Sequence, residues 1–191
     1  MSHIFKDWVY SQHRAINHMY NKGDIPLPYE FHLQLTEQVA NDYTEVMDEL
    51  NIDLHVGRAG CQCHDLLEDV PSLVSYNDLY KFACTCFEPK KARQIAEIAF
   101  ACWDNRGRNR HEKHEGDYFR VLITVHGALF VKLCDRIANM RFSKMMRSSQ
   151  MEMYRKELDA FLIQTNLHGI DTDNPYFPMV QEMRELANET K

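Results

Sequence analysis

The chain has 191 residues, of which 45% are hydrophobic and 26% charged, with a formal net charge of −6. These are the values of an ordinary globular protein, and the acidic balance excludes a general nucleic-acid binder. No apolar run approaches the roughly 18 residues that a membrane-spanning helix needs. The opening residues, MSHIFKDWVYSQHRA, mix charge with aromatics and lack the apolar core of a secretory signal. These features predict a single-domain cytoplasmic protein with no membrane or nucleic-acid partner.

Glycine and proline are scarce, at 7 and 6 residues, and apolar positions recur at helical spacing in most segments. The expected fold is a single all-α domain, a helical bundle spanning residues 1–191. A first helix is predicted over 4–20, followed by the turn KGDIPLP at 22–28. The next helix is predicted over 30–50 and carries His32 near its start. Taken alone, a histidine there is weak evidence and reads equally as a cap or a core residue.

The helix predicted over 58–69 contains GCQCHDLLEDV, which sets His64, Asp65, Glu68 and Asp69 close together among cysteines and leucines. At about 100° per helical residue, these four fall on one side, with Leu66 and Leu67 pointing away to anchor the helix. Carboxylates gathered beside an apolar segment repel one another, and burial raises the cost unless a cation compensates. A divalent metal supplies that charge, and imidazole with carboxylate suits manganese, iron or zinc.

Helices over 76–87 and 90–103 come next, separated by FEPKK. The segment DNRGRNRHEKHEGD at 104–117 carries Arg106, Arg108, Arg110 and Lys113. It reads either as a solvated connection or as an anion-binding lid, since guanidinium forks match phosphate geometry. In the helix predicted over 117–142, Leu129, Leu133, Ile137 and Met140 make one apolar stripe. Asp135 lies on the other side, flanked there by Ala128, Val131 and Ala138. A helix apolar nearly all round is buried, so Asp135 needs a strong partner, either a lysine or arginine or a metal. Helices over 150–164 and 177–188 complete the chain. The six cysteines, Cys61, Cys63, Cys84, Cys86, Cys102 and Cys134, lie mostly among apolar neighbours and read as buried free thiols rather than a zinc cluster.

These segments together resemble an HD-domain metal phosphohydrolase. The order H…HD…D stands as His32, His64–Asp65 and Asp135. Within that superfamily the chain most resembles the hydrolase domain of the RelA/SpoT family and its small stand-alone alarmone hydrolases. HDLLEDV is similar to that family's HD-x-x-ED block, VKLCDRIANMR to its V-K-L-A-D-R-x-x-N-M-R block, and AINHMYNKGDIPLPYEFH to its opening. YRKELDAFL resembles its closing helix. The resemblance spans about residues 10–165 and leaves a helical tail at 166–191.

It implies an HD-domain fold in which His32, His64, Asp65 and Asp135 hold one divalent ion, Mn²⁺, while Glu68 and Asp69 orient and deprotonate a water. The implied substrate is guanosine tetra- or pentaphosphate, cleaved to GDP or GTP and pyrophosphate as in the stringent response. Asn139 matches the family's pocket asparagine, and Lys132, Arg136, Lys22, Arg110 and Lys113 are candidate substrate contacts. Lys132 and Arg136 read equally well as structural ion-pair partners. The chain departs from the pattern at AFACWDNRGRNR, where the family has a threonine-rich stretch, and at Leu158, where some relatives carry a pocket tyrosine. Two alternatives therefore stay open: an HD phosphohydrolase of another nucleotide (a dNTP, a nucleoside monophosphate or a cyclic nucleotide), and a non-catalytic nucleotide-binding module.

Overall fold

A computed structural model describes residues 3–21, 26–103 and 117–188. The fold is all-α, with one small two-stranded sheet. Helix α1 (His3–Ala15) leads into strand β1 (Met19–Asn21), which pairs antiparallel with β2 (Leu27–Pro28). Then follow α2 (Tyr29–Asp42), α3 (Thr44–Glu49), α4 (Leu54–Cys63), the single turn α5 (Leu66–Asp69), α6 (Tyr76–Cys86) and α7 (Pro89–Cys102). Beyond the basic segment come α8 (Tyr118–Thr124), α9 (Ala128–Met145), α10 (Gln150–Gln164) and α11 (Phe177–Asn188). Among the described residues, no helix is long and apolar enough to cross a membrane.

Local sequence explains several boundaries, and the structure divides some segments predicted as single helices. The first helix stops at Ala15 rather than residue 20, because Asn17 takes a left-handed backbone (φ 52°) and the chain turns into β1. The segment 30–50 is two helices separated at Tyr43, whose φ of −117° is not helical. Asp53 caps α4 by accepting from the backbone N–H of His55 and Val56 at 2.9 and 3.2 Å. Ser75 and Asp78 form a reciprocal capping box on α6, and Pro89 stands at the first position of α7. The segment 117–142 divides at Val125–Gly127.

The central layer is α2, α4, α7 and α9, with α1 and α6 on one flank and α10 and α11 on the other. Phe130, Val131, Leu133, Cys134, Ile137 and Met140 of α9 are fully buried, as are Ile95, Ile98 and Ala99 of α7. Such burial supplies the bulk of the folding free energy, at about 25 cal/mol per Å² of apolar surface. Gly60 allows α4 to approach its neighbours closely: a Cβ there would meet Val131 Cγ2 at 3.0 Å and Ile98 Cγ2 at 3.1 Å. All six cysteines are free; Cys61, Cys63, Cys102 and Cys134 are buried in this core, while Cys84 and Cys86 are partly exposed.

Gly127 sits at the entrance to α9 with φ 86°, and Ile98 Cδ1 stands 3.1 Å from where a Cβ would be. An L side chain in the left-handed region costs roughly 1–2 kcal/mol. Gly127→Ala is therefore expected to lower the urea midpoint by an amount equivalent to about 1–2 kcal/mol, with the slope unchanged. A midpoint equal to that of the unsubstituted chain would remove the backbone argument.

Candidate metal centre

Three separate stretches of chain converge. The first is the start of α2. Pro28, with φ −64° and ψ 152°, keeps the chain extended up to the helix. Tyr29 and His32 then lie three residues apart on one helical face. His32 is 2% exposed, and the β1 residue Tyr20 stacks on its ring at 4.8 Å between centroids.

The second stretch is the end of α4. The sequence predicts an unbroken helix through residues 58–69, but α4 stops at Cys63 and α5 begins at Leu66. Asp65 adopts φ −97° and ψ −3°, in the sparsely populated bridge region common among active-site residues. The break has a geometric consequence. Consecutive residues of a regular helix do not face each other, whereas here His64 Nε2 and Asp65 Oδ2 are 2.9 Å apart. The angular positions expected for an unbroken helix accordingly do not describe Glu68 and Asp69, which belong to the separate turn α5.

The third stretch is the middle of α9, where Asp135 is 8% exposed. Its Oδ1 lies 3.2 Å from His32 Nε2 and 3.6 Å from His64 Nε2, and Asp65 Oδ2 is 3.6 Å from His32 Nε2. One ligand atom each from His32, His64 and Asp135 falls within 4.8 Å of the others. These three share one spot, and Asp65 borders it through its contacts with both imidazoles.

The surroundings hold each group in place. The Nδ1 of His64 is 2.9 Å from the Cys61 carbonyl oxygen, which can only accept, so Nδ1 carries a proton. Nε2 makes no aligned hydrogen bond and faces two carboxylates. In the neutral ring that nitrogen presents a lone pair to negative charge, an arrangement that either a proton on Nε2 or a bound cation relieves. An N–H turned to a backbone carbonyl is the usual orientation for a metal-ligating histidine. Tyr29 donates its hydroxyl hydrogen bond to Asp65 Oδ2. Asn139 donates to Asp135 Oδ1 at 2.6 Å and accepts from the Tyr20 hydroxyl at 2.8 Å. Lys132 Nζ is 2.9 Å from Asp135 Oδ2. Asp135 thus has the lysine partner that its burial calls for and also faces two imidazoles.

Electrostatics agree with the geometry. Burial by itself lowers the pKa of His64 and raises those of Asp65 and Asp135, but the mutual attraction is larger. His64 is held well above its ordinary value by Asp65 and Asp135. His32 is raised against the pull of burial by its contacts with the same carboxylates. Asp65 is held well below the usual carboxylate range by His64 and His32, and Asp135 by Lys132 and the two histidines. Two imidazole nitrogens and two carboxylate oxygens, all largely out of water, fit a divalent transition metal.

The remaining predicted site residues are placed unevenly. Asp69 is pushed up to about 7 by burial and then by the carboxylates of Asp65 and Glu68, and Glu68 precedes it on α5. Asn139, Lys132 and Arg136 line a cavity that opens on Asp135, together with Tyr118, Phe119, Tyr154 and Phe161. Arg136 is 6% exposed, 3.4 Å from Glu157 and 4.3 Å above the Phe161 ring. Asn139 and Lys132 both bind Asp135 directly, so each has a structural engagement besides facing the cavity. Leu158 is buried, and the cavity's tyrosines are Tyr118 and Tyr154, the latter one turn before Leu158. Lys22, Arg110 and Lys113 lie outside the described residues, as does most of the basic segment 104–117.

Sequence reasoning missed Tyr20, Tyr29, His13 and His18. Tyr29 stands in the block AINHMYNKGDIPLPYEFH just after the turn, with no site signal of its own. Neither histidine carries a periodic or motif signal. No family model matches the chain, and neither does any curated protein or solved structure.

Two expectations follow. Histidines raised above about 6.5 contribute stability in the metal-free protein that is complete below that value and is lost as pH rises through their folded pKa. Asp65 and Asp135, depressed, contribute stability that is present above about 3.9 and lost as pH falls through their folded values. A metal ion replaces the protons on the histidines, so the increase in Tm on adding Mn²⁺ should grow from mildly acidic to mildly alkaline pH. Thermal denaturation with and without Mn²⁺ measures this, and an increment that shrinks with pH contradicts it. Asn139→Ala leaves the ligands in place but frees Asp135, and should weaken Mn²⁺ binding about 10–100-fold by calorimetry.

Proposed function

We propose that the chain is a metal-dependent phosphohydrolase of the HD type, and that its substrate is guanosine tetra- or pentaphosphate, from which it removes the 3′-pyrophosphate. The observation that carries this reading is the convergence of His32, His64, Asp65 and Asp135, four residues drawn from three distant stretches of chain. The cavity beside them supports it. Its aromatic residues Tyr118, Phe119, Tyr154 and Phe161 suit a purine face, while Lys132 and Arg136 bring positive charge next to the candidate ligands.

His32, His64, Asp65 and Asp135 would hold the ion, with Mn²⁺ the choice implied by the sequence resemblance. When bound, the ion lowers the pKa of a water and polarises a phosphoryl oxygen. Glu68 and Asp69 orient the attacking water and Glu68 takes its proton, while the water oxygen bonds to the phosphorus next to the ribose 3′-oxygen. The bond between that phosphorus and the 3′-oxygen breaks, the 3′-oxygen receives the proton taken from the water, and the products are pyrophosphate and GDP or GTP. Tyr29 fixes the Asp65 carboxylate during these events, and Asn139 fixes that of Asp135.

Incubation with ppGpp and Mn²⁺, resolved by chromatography, tests the reading, and GDP with pyrophosphate is the expected result. A panel of dNTPs, nucleoside monophosphates and cyclic nucleotides run alongside decides the substrate; turnover of one of these with none of ppGpp moves the assignment to that nucleotide. Binding without turnover in any divalent metal would indicate a non-catalytic module. His64→Ala and Asp65→Ala should abolish both metal binding and turnover. Glu68→Ala should keep metal binding and slow turnover by about 10²–10⁴, the usual contribution of a positioned base; an unchanged rate would remove its role.

A further inference from the structure

A second group of ligand-type side chains lies beside the first. His13 ends α1, His18 sits in the turn before β1, and Asp69 closes α5. One donor atom from each lies within 4.8 Å of the others. The Nδ1 atoms of His13 and His18 are 3.0 Å apart, and His18 Nδ1 is 3.6 Å from Asp69 Oδ2. His13 is fully buried, yet its Nε2 has no hydrogen-bond partner. The Oδ2 of Asp69 is likewise buried and makes no hydrogen bond. A carboxylate oxygen left unsatisfied away from water is costly, and such a group in a folded protein points to an ion or an ordered water. The ring of Tyr29 stacks on His18 at 3.7 Å and on His13 at 4.7 Å between centroids, while its hydroxyl reaches Asp65. Tyr29 therefore joins this cluster to the first centre.

We propose that His13, His18 and Asp69 form a second site for a divalent transition-metal cation, bound by two imidazoles and one carboxylate with coordination positions left open. Two nitrogens and one oxygen are a donor set that zinc, iron and manganese accept, and Asp69 gives the negative charge that makes the occupant a cation rather than an anion. The site takes Asp69 as a ligand and leaves deprotonation of water, in the proposed hydrolysis, to Glu68. It stands independently of the nucleotide substrate and draws on no ligand of the first centre.

Equilibrium dialysis of the full chain against Mn²⁺ and, separately, Zn²⁺, with bound metal counted by emission spectroscopy, tests the proposal. His18 and Asp69 are partly exposed, so His18→Gln and Asp69→Asn keep the fold, and far-UV circular dichroism verifies it. The expected result is two equivalents in the unsubstituted chain, one in His18→Gln, one in Asp69→Asn and one in His64→Gln. A single equivalent that survives His18→Gln and disappears in His64→Gln overturns the second site and leaves the first centre standing. A single equivalent with the opposite pattern supports the second site and removes the first. Two equivalents retained in both His18→Gln and Asp69→Asn also overturn it, since neither cation then depends on these residues.

Discussion

Two carboxylates, Asp65 and Asp135, face two imidazoles that are essentially out of contact with water, and this charge arrangement constrains the middle of the molecule. Lys132 offsets one negative charge at 2.9 Å. The other must be met inside the cluster, by a proton on an imidazole or by a bound cation, because bare carboxylates transferred out of water are prohibitive. Removing either histidine would strand a buried charge. That requirement fixes α2, the α4–α5 junction and α9 against one another at a single point, and it gives the interior a polar centre in an otherwise apolar layer.

The packing around the centre is what allows that convergence. Without a side chain at Gly60, α4 lies close to Ile98 and Val131, and the end of α4 comes within reach of α9. The helix then breaks between Cys63 and Leu66, which turns Asp65 toward the imidazole of the residue before it. Leu66 and Leu67, both buried, hold the short α5 in place after the break. The β1–β2 pair looks minor but has a specific effect: it seats Tyr20 on the His32 ring and against Asn139. The hydrogen-bond chain from Tyr20 through Asn139 links the strand to Asp135. The geometry of the site thus rests on Tyr20, Tyr29 and Asn139 as well as on the four clustered residues.

Some of this was legible in the sequence and some was not. The all-α class followed from helical periodicity with few glycines and prolines. Asp135 stood out because a carboxylate in a helix apolar nearly all round has only a few stable environments. His64 and Asp65 stood out by composition, but their geometry was hidden. The segment contains no proline between Gly60 and Val70, so spacing alone predicted a continuous helix, and tertiary packing imposed the break. His13 and His18 gave no signal, because their relation to Asp69 exists only after α1 docks near α5. The division at Gly127 was readable in principle from the His-Gly pair, yet the apolar pattern runs across it and favoured one long helix.

Lys132 and Arg136 show how a structural and a binding role can reside in one side chain. In the protein as described, Lys132 neutralises Asp135 and Arg136 is engaged with Glu157 and the Phe161 ring. Both also line the cavity. If a cation takes over the neutralisation of Asp135, Lys132 is released from that duty, and its ammonium becomes available to an anionic group entering the cavity. Cation and anion would then favour each other's binding, and by linkage the effect must be equal in both directions. Under the proposed function, such coupling makes the cavity receptive to a polyphosphate chiefly once the metal is in place. The charge balance that stabilises the centre would in this way also order the assembly of the reacting complex.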